Sequence, residues 1–474
     1  MEFHVSLIGR KNLSIEIYRQ LRRAIIDGVL GPGDLLPPSR ELARRLSVSR
    51  TTVTVAYDRL AGEGYVTSRV GAGTTVSFRQ AASGDREKRK PTGALRPRPF
   101  WDSVRLPDTF EHAPRFPFIT GMPDASLFPH QTWRRLIARE LRSPEVSGGA
   151  YGEAAGHPGL RAAIARHIAI SRGVETSPED ITITNGTQQA LDIIARVMLA
   201  PGETVAVEDP GYQPPLRLFR SLGARVTGVP VDAEGLVVDA LPRNARFVYV
   251  TPSHQYPLGV TMSMPRRQAL LNWADRANAA IIEDDYDSEF RFGGRPMEPL
   301  HTLDTTGRVV YIGSFSKTML PTLRLGFVAT PPSLSAAAHK AKHVTDWHTN
   351  VLVQAALARF IDEGDFARHV RKLGSVYRAR HELILKILAR DFADCLEGIP
   401  STVGLHVTAR SHHVSIEDID SLRRRAFGEG VAFHRLSRFA IDGPEQAGVV
   451  LGYGAIAMGD IEEGLRRLRA CFDG

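Results

Sequence analysis

The chain has 474 residues, of which 43% are hydrophobic and 24% charged. These values are typical of a soluble globular protein of two or three domains. There is no run of eighteen apolar residues to predict a membrane span, and the first residues lack the basic-then-apolar pattern of a signal peptide. Two cysteines, Cys395 and Cys471, make neither a disulfide framework nor a metal cluster. We therefore expect a cytoplasmic protein without a metal site.

The positive charge is concentrated near the start of the chain. The formal net charge of the whole chain is +8, and residues 1–90 carry 16 Lys and Arg against 9 Asp and Glu, a net of +7. A small basic segment joined to a nearly neutral remainder predicts a module that binds a polyanion. A solubilising tail is the alternative, but the ordered pattern within the segment argues against it.

Residues 1–78 have the pattern of three helices followed by a hairpin. Apolar residues recur at spacings of three and four from Ser14 to Leu30, which predicts an amphipathic helix with Ser14 as a possible N-cap. Ser39 is expected to cap a short helix through Leu46, and Ser49 a third helix. The hairpin is predicted to have strands at residues 65–68 and 74–77, joined by a Gly-rich tip at residues 71–73.

Three helices and a hairpin, with a tight turn before the third helix, predict a winged helix-turn-helix. The first turn of the third helix would offer a guanidinium and several hydroxyls to base edges in the major groove. A guanidinium at the start of the second helix would hold a phosphate, and the wing would approach the DNA backbone. A solvated helix surface is the alternative for the arginines. The residues expected to contact DNA are Arg40, Ser49, Arg50, Thr52, Arg69 and Gly71.

This segment resembles the GntR family of bacterial regulators over its whole length. The matching stretches are Pro-Pro-Ser-Arg-Glu-Leu-Ala at 37–43, Val-Ser-Arg-Thr-Thr-Val at 48–53 and Tyr-Asp-Arg-Leu at 57–60, continuing through Gly-Tyr at 64–65. The resemblance implies that the segment binds double-stranded DNA.

Residues 79–111 read as a flexible, basic linker. The stretch from Arg79 is polar, highly charged and without a hydrophobic period, and prolines follow at Pro97 and Pro99. Its basic residues would either attract DNA without sequence preference or only keep the linker solvated. We therefore expect a DNA-binding domain at 1–78, this linker, and a large domain at 112–474.

The large domain alternates helices with short apolar strands. Such strands are predicted at 181–184, 204–207, 247–250, 279–282 and 309–312, with helices between them. This alternation predicts an α/β fold with a mostly parallel sheet covered by helices. In such a sheet, ligands bind at the carboxyl ends of the strands.

Polar residues follow several of these strands. A Gly-Thr pair and a helix start, which would suit a phosphate, follow the strand at 181–184. An aromatic ring, a carboxylate and a lysine follow three other strands. Taken singly, each residue also has a structural explanation as a turn, a core ring, a helix cap or a solvated lysine. The residues concerned are Gly186, Thr187, Tyr212, Asp284, Ser314, Lys317 and Arg324.

Together these groups make a site for pyridoxal 5′-phosphate (PLP), whose chemistry needs an amine, a carboxylate for the pyridine nitrogen and an anchored phosphate. This part of the chain resembles fold-type I aminotransferases over essentially its whole length. The resemblance implies that Lys317 forms the Schiff base with PLP, that Asp284 pairs with the pyridinium and that Tyr212 stacks on the ring. By the same resemblance, the phosphate is bound by Gly186, Thr187, Ser314 and Arg324.

The chain departs from the usual aminotransferase pattern in one stretch. Residues 251–259 read Thr-Pro-Ser-His-Gln-Tyr-Pro-Leu-Gly, so that Tyr256 replaces the asparagine expected to bond the ring hydroxyl. Tyr286 stands two residues after Asp284 rather than three. The departures leave the partner of the ring hydroxyl open, and we favour Tyr286.

These departures fit the MocR subfamily of GntR regulators, which the full chain resembles. Pro-Ser-His-Gln-Tyr-Pro at 252–257 and Glu-Asp-Asp-Tyr-Asp-Ser-Glu-Phe at 283–290 carry this resemblance. It implies a domain-swapped homodimer that regulates transcription and senses PLP or an amino compound. An active aminotransferase with a DNA-binding appendage is the alternative, because both would use nearly the same residues.

The end of the chain predicts a small α+β subdomain at about 375–474. A strand is predicted at 449–453, and Gly459 and Asp460 precede a final helix. In aminotransferases this subdomain supplies an arginine for the substrate carboxylate, and by resemblance Arg438 matches it. Its planar guanidinium suits bidentate binding of an acid group. Arg435 and later arginines are the competing candidates.

Overall fold

A computed structural model describes residues 12–69, 73–78, 95–104, 114–293, 297–411 and 413–473. The chain divides into two compact units, Met1–Arg98 and Pro99–Gly474. Among the described residues, none of the helices combines the length and apolar character that a membrane span requires. Gly71 and most of the expected linker lie outside the described residues.

The first unit is the predicted winged helix. Its three helices and three-stranded sheet are α1 (Leu13–Ile26), β1 (Leu35–Leu36), α2 (Ser39–Arg45), α3 (Arg50–Gly62), β2 (Val66–Arg69) and β3 (Gly73–Val76). The sheet order is β1-β3-β2, with both pairs antiparallel. The strand β1 was not expected from the sequence. Its two residues pair with Thr74 and Thr75 and close the hairpin onto the helices.

Helix caps in this unit agree with the sequence prediction at one of three positions. Ser49 caps α3, because its Oγ accepts a hydrogen bond from the Thr52 N–H at 3.1 Å. The prediction for Ser14 was wrong, since α1 begins at Leu13 and Asn12, two residues before Ser14, occupies the N-cap. The prediction for Ser39 was also wrong, because Ser39 is already the first residue of α2.

The core of the first unit comes from the apolar faces of all three helices. Ile17, Leu21, Val53 and Leu60 are almost completely buried in one cluster with residues of the hairpin. Their spacings of four residues in α1 and seven in α3 place them on the inner face of each helix, which is why the amphipathic pattern could be recognised. The exposed faces remain free to carry charge.

The second unit contains two sheets. Its strands are β4 (Phe116–Phe118), β5 (Ile181–Thr184), β6 (Thr204–Asp209), β7 (Arg225–Asp232), β8 (Gly235–Leu236), β9 (Ala245–Val250), β10 (Ala280–Asp285), β11 (Val309–Ser314), β12 (Gly326–Ala329), β13 (Leu396–Gly398), β14 (His406–Ser411), β15 (Val431–Arg435) and β16 (Gly448–Gly452). Its helices are α4 (His130–Glu140), α5 (Pro144–Ser147), α6 (Pro158–Arg172), α7 (Thr187–Met198), α8 (Gln213–Ser221), α9 (Met264–Ala277), α10 (Leu300–Leu303), α11 (Pro332–Asp346), α12 (Val351–Asp362), α13 (Asp365–Asp391), α14 (Ile416–Gly428) and α15 (Ile461–Asp473).

The larger sheet has eight strands in the order β5-β12-β11-β10-β9-β6-β7-β8. Five adjacent strands are parallel to one another, namely β11, β10, β9, β6 and β7. The strand β12, in contrast, is antiparallel to both β11 and β5. This confirms the predicted mostly parallel sheet. Alternate residues of β9 enter different hydrophobic clusters, with Phe247 and Tyr249 in one and Val248 and Val250 in the other. The sheet is therefore covered on both faces.

Three strands extend further than the sequence predicted. The strand β10 runs to Asp285, β6 to Asp209 and β11 to Ser314. Asp284 and Ser314 are thus strand residues rather than loop residues. Because their backbone groups belong to the sheet, their side chains are held at its carboxyl edge.

The smaller sheet has the order β13-β14-β16-β15-β4. Its last strand comes from residues 116–118, which pair in parallel with β15. The sequence indicated no such partner, because Phe116-Pro-Phe118 is too short to be recognised as a strand. Phe116 and Phe118 are completely buried among residues of α13, α14 and α15.

Candidate functional site

A cavity of about 270 Å³ opens at the carboxyl edge of the parallel strands. Seven of the eight residues predicted to hold the cofactor line it, namely Thr187, Tyr212, Asp284, Tyr286, Ser314, Lys317 and Arg324. The eighth, Gly186, touches Arg324. The strands β5, β6, β10 and β11 deliver these residues from distant parts of the sequence, so the fold brings them together.

Lys317 is the amine of the cavity. Its Nζ donates a hydrogen bond to the carbonyl oxygen of Gly121 at 2.9 Å. Burial lowers the pKa of Lys317, while the carboxylates of Asp287 and Asp284 oppose this shift. A lysine that loses its proton more readily is a better nucleophile. The segment around Gly121 was not identified from the sequence, because a loop carbonyl gives no recognisable signal.

Asp284 presents an acceptor without a partner. Its Oδ2 accepts a hydrogen bond from the Tyr249 hydroxyl at 2.7 Å, whereas its Oδ1 is buried and has no hydrogen-bond partner among the described residues. Burial raises the pKa of Asp284 to about 7, although the Tyr249 hydrogen bond opposes the rise. An unpaired buried carboxylate oxygen is costly unless a ligand donor meets it. Asp284 therefore fits a ring N–H⁺ group.

Tyr249 was missed by the sequence analysis. It lies in β9, next to β10, in the register that pairs Ile282 with Tyr249. A tyrosine in an apolar strand is usually a core residue, so the pattern gave no functional signal. The useful signal would have been its position near the carboxyl end of a strand adjacent to the one that carries Asp284.

An anion site lies between the start of α7 and Arg324. Gly186, at φ +78°, precedes the helix, and the Arg324 Nη2 donates to the Asn185 carbonyl oxygen at 2.7 Å. A Cβ added at Gly186 would lie 3.0 Å from that Nη2, so glycine lets the guanidinium approach. Arg324 itself has φ +50°, an uncommon conformation for a non-glycine residue. Helix N–H groups and a guanidinium together suit a phosphate.

Aromatic rings form one wall of the cavity. Tyr212 meets Tyr256 edge to face with ring centroids 5.6 Å apart, and Tyr256 meets Phe439 in the same way at 5.1 Å. The Tyr256 hydroxyl is 2.7 Å from that of Thr120. Tyr212 remains 38% exposed, which leaves ring surface for a flat ligand to stack on.

Both tyrosines considered for the ring hydroxyl line the cavity. The Tyr286 hydroxyl donates to the His254 carbonyl oxygen at 2.9 Å and lies 3.0 Å from His254 Nδ1. Tyr256, in contrast, faces Thr120. The choice of Tyr286 stays a prediction, and its surroundings are more polar than those of Tyr256.

Arg438 lies beside the cavity without lining it in the part of the chain that the structure describes. It is exposed, and its Nη1 is 3.3 Å from His434 Nδ1. Its charge lowers the pKa of Tyr256, while burial raises it more strongly. Arg435, the rival candidate, forms an ion pair with Asp420.

The segment after Arg438 is fastened to the loop after β6. Phe439 accepts a hydrogen bond at its carbonyl from the Gly211 N–H at 2.9 Å. Asp209 accepts hydrogen bonds from the backbone N–H groups of Ile441, Asp442 and Gly443 at 2.6–2.9 Å. These bonds hold the Arg438 segment next to Tyr212.

Behind the cavity, three buried side chains form a polar group that the sequence analysis missed. Ligand-type atoms of His254, Asp287 and His406 lie within 4.8 Å of one another. A metal site was not expected from the sequence, and nothing in the spacing of residues 254, 287 and 406 indicated that they would meet.

In the first unit, the expected DNA-binding residues lie at the starts of α2 and α3 and at the end of β2. Arg40, Ser49, Arg50 and Arg69 are exposed, and Thr52 is half-buried. The Ser49 and Thr52 hydroxyls are 2.7 Å apart. Arg50 Nε donates to Ser39 Oγ at 3.4 Å, so that the starts of α2 and α3 adjoin.

Comparisons with known proteins agree with this geometry. The family model "Bacterial regulatory proteins, gntR family" matches residues 13–76, and "Aminotransferase class I and II" matches residues 124–427. The probable rhizopine catabolism regulatory protein MocR of Rhizobium meliloti is 39% identical over 470 residues, covering 96% of this chain and 93% of that protein. The regulator TauR of Rhodobacter capsulatus is 35% identical over 393 residues, covering 80% of each chain.

Solved structures show the same fold for the large unit. The kynurenine aminotransferase of Pyrococcus horikoshii, solved in complex with PMP, superimposes with a TM-score of 0.71 at 28% identity. The match covers 77% of this chain and 92% of that one.

The fold and these matches define a DNA-binding winged helix-turn-helix unit joined to a unit of the PLP-dependent aminotransferase fold, that is, a transcription regulator. The chain belongs to the MocR-type GntR regulators.

Replacing Asp284 by Asn should make the cofactor-free protein less sensitive to pH. Because the pKa of Asp284 is about 7 in the folded chain against an ordinary 3.8, the folded state holds a proton that the unfolded chain has released. The stability due to this proton is complete below about pH 4 and is lost as the pH rises through about 7. As the pH rises from about 4 to 8, the free energy of unfolding of Asp284→Asn should rise by roughly 2–4 kcal/mol relative to that of the parent, as measured by urea unfolding.

The exposed Asp239 gives the matched control, since Asp239→Asn removes a carboxyl from the surface. Its stability should follow that of the parent at every pH. Parallel curves for Asp284→Asn and the parent would mean that Asp284 is ionised in the folded chain.

Proposed function

We propose that the large unit binds PLP at this cavity and senses an amino compound there, and that the first unit reports the result to DNA. PLP supplies an aldehyde that condenses with amines and a pyridine ring that draws electrons. The proposal is carried by the Oδ1 of Asp284, which has no hydrogen-bond partner in the described part of the chain and lies on the cavity that also holds the Lys317 amine. A carboxylate there keeps a pyridine nitrogen protonated.

Each part of the cofactor has a complementary group in the cavity. Lys317 offers the amine for the aldehyde. Arg324, Ser314, Thr187 and the backbone at Gly186 offer an anion site for the phosphate. Tyr212 offers a ring for stacking, and Tyr286 a hydroxyl for the ring oxygen.

We assign the effector to compounds that carry both an amine and an acid group. The amine would reach the cofactor, and Arg438 would bind the acid group, since it is exposed beside Tyr256 and has no carboxylate partner among the described residues. Arg435 suits this role less well, because Asp420 already neutralises it.

The proposal includes a homodimer with two DNA-binding units, in the domain-swapped arrangement that the family resemblance implies. The second unit exposes three large apolar side chains, of which two are three residues apart in the chain and two have rings in contact. Tyr151 is 78% exposed, Val344 84% and Trp347 47%, and the rings of Tyr151 and Trp347 are 4.4 Å apart. Exposed apolar groups of this size favour an interface with a second copy.

Transamination is the second candidate, and the lowered pKa of Lys317 favours it, because a neutral lysine can also move protons. The two candidates differ in turnover. Steady conversion of amino and keto acids by the purified protein would support the enzyme. A change in DNA binding without turnover would support the sensor.

Lys317→Ala should abolish the adduct that borohydride fixes between PLP and the chain, together with its visible absorption band. Lys317 is the lysine that lines the cavity. Lys340→Ala, at an exposed position of α11, is the control and should retain both signals. Mass mapping of a fixed adduct to another lysine in Lys317→Ala would refute this assignment.

Arg50→Ala should weaken binding to the promoter of the protein's own gene, or of the divergent neighbour, by roughly 1–3 kcal/mol and relax specificity at one base pair. Binding of the parent should fall steeply with salt, since phosphate contacts release counterions. Arg23→Ala, whose side chain on α1 is 85% exposed, is the control. If the parent binds the promoter no better than random DNA, the regulatory role of this unit at that site is rejected.

Arg438→Ala should leave the PLP absorption band intact but weaken the spectral shift caused by the effector. The loss of the hydrogen bond between the Arg438 guanidinium and the acid group should weaken the free energy of effector binding by roughly 1.5–3 kcal/mol. DNA affinity without effector should not change. Arg435→Ala is the matched control, and equal effector affinity in Arg438→Ala and the parent would reject the role.

A further inference from the structure

We infer that Asp287 and His254 form a buried positioning pair that fixes the Tyr286 hydroxyl at the wall of the cavity. The inference rests on the proposed PLP site, because Tyr286 is the group assigned to the ring oxygen. It concerns two residues that do not line the cavity in the part of the chain that the structure describes, and that act through Tyr286.

The pair is a continuous chain of short contacts. His254 Nδ1 lies 3.0 and 3.1 Å from the two carboxylate oxygens of Asp287, and 3.0 Å from the Tyr286 hydroxyl. That hydroxyl donates to the His254 carbonyl oxygen at 2.9 Å. The side chain of His254 is 99% buried and that of Asp287 is 98% buried, so water does not compete for these contacts.

The protonation of the pair decides which way the phenol points. Burial and the charge of Arg291 lower the pKa of His254 to about 3, so its ring is neutral and has a single N–H. Burial raises the pKa of Asp287 to about 7, so Asp287 is ionised above that pH and can then only accept. The hydrogen of the His254 ring therefore lies on Nδ1, which donates to Asp287. No lone pair of Nδ1 is then left for Tyr286. The Tyr286 hydroxyl donates its hydrogen to the His254 carbonyl oxygen instead, which leaves the Tyr286 oxygen free to accept a hydrogen bond from the ring hydroxyl.

The surroundings leave the pair no other position. The ring of His406 lies against that of His254 with centroids 4.5 Å apart. A Cβ added at Gly404, which has φ +90°, would lie 2.1 Å from His254 Nδ1 and 2.5 Å from Asp287 Oδ2. Only glycine therefore fits at 404. The Leu405 N–H also donates to Asp287 at 3.3 Å.

Hydrogen bonds already occupy two of the ring nitrogens that a metal could use. His254 Nδ1 lies 3.0 Å from Asp287 Oδ2, and His406 Nε2 is 3.0 Å from the Pro257 carbonyl oxygen. His254 Nε2, in contrast, is buried without a hydrogen-bond partner among the described residues, so its lone pair is left for a metal. Metal analysis of the purified protein tests this directly.

The test compares PLP with its analogue that lacks the ring hydroxyl, 3-deoxypyridoxal phosphate, in fluorescence titrations of the full chain. Asp287→Asn should weaken PLP binding about tenfold. The charged hydrogen bond between Asp287 and His254 is lost, so the Tyr286 hydroxyl is no longer held in place for the ring oxygen. It should leave binding of the analogue within about twofold of the parent. A variant that had simply lost its fold would weaken both.

Two further comparisons separate positioning from a general effect of burial. In the Tyr286→Phe background, Asp287→Asn should have no additional effect on PLP, because the hydroxyl it acts through is gone. Glu289→Gln is the matched control, being a buried carboxyl two residues along whose pKa burial also raises to about 7. It should bind both ligands as the parent does.

The outcomes distinguish this inference from the proposed function. If the parent binds neither ligand, both fall. If the parent binds PLP but Asp287→Asn weakens both ligands equally, or adds its full effect to Tyr286→Phe, the positioning pair is refuted and the PLP site stands. A stoichiometric transition metal that is lost in Asp287→Asn would also refute the pair.

Discussion

The site depends on an acid and an amine that the fold keeps out of water. Asp284 and Lys317 both lie on one cavity, and burial shifts their pKa values toward each other, upward for the acid and downward for the amine. Burial therefore favours the neutral form of each group, and a charged partner supplied by a ligand would favour the charged form of the acid. In water neither residue would have this property. The sheet edge is therefore what turns an ordinary acid and an ordinary lysine into a site.

The parallel sheet supplies that edge. Because β10 and β11 pair in parallel, their carboxyl ends lie together, although Asp284 and Lys317 are separated by a helix and a long loop. Neighbouring strands add the Tyr249 hydroxyl and the glycine start of α7. The smaller sheet contributes through the segment of Arg438, which Asp209 fastens to the loop after β6. Precise placement thus comes from backbone hydrogen bonds rather than from the reactive side chains themselves.

The sequence predicted the parts of this arrangement that repeat locally. Apolar runs revealed the strands, helical periodicity revealed the winged helix, and the residues after the strands pointed to the cavity. Contacts between distant segments were not predictable in the same way. The Gly121 carbonyl, the Tyr249 hydroxyl and the strand at 116–118 have meaning only once the chain has folded. Ser14 failed as a cap for a smaller reason, since a helix can begin two residues earlier than its pattern suggests.

The two units use opposite electrostatic conditions. The arginines around the start of α3 are exposed, so their attraction to a polyanion is strong only over a Debye length and is weakened by salt. Asp284, Asp287 and Lys317 are enclosed, and their interactions are screened much less. Salt therefore acts on the first unit while leaving the buried cavity nearly unchanged. The electrostatics inside the cavity are thus fixed by the fold, whereas the affinity for a polyanion is set at the surface and varies with the ionic strength.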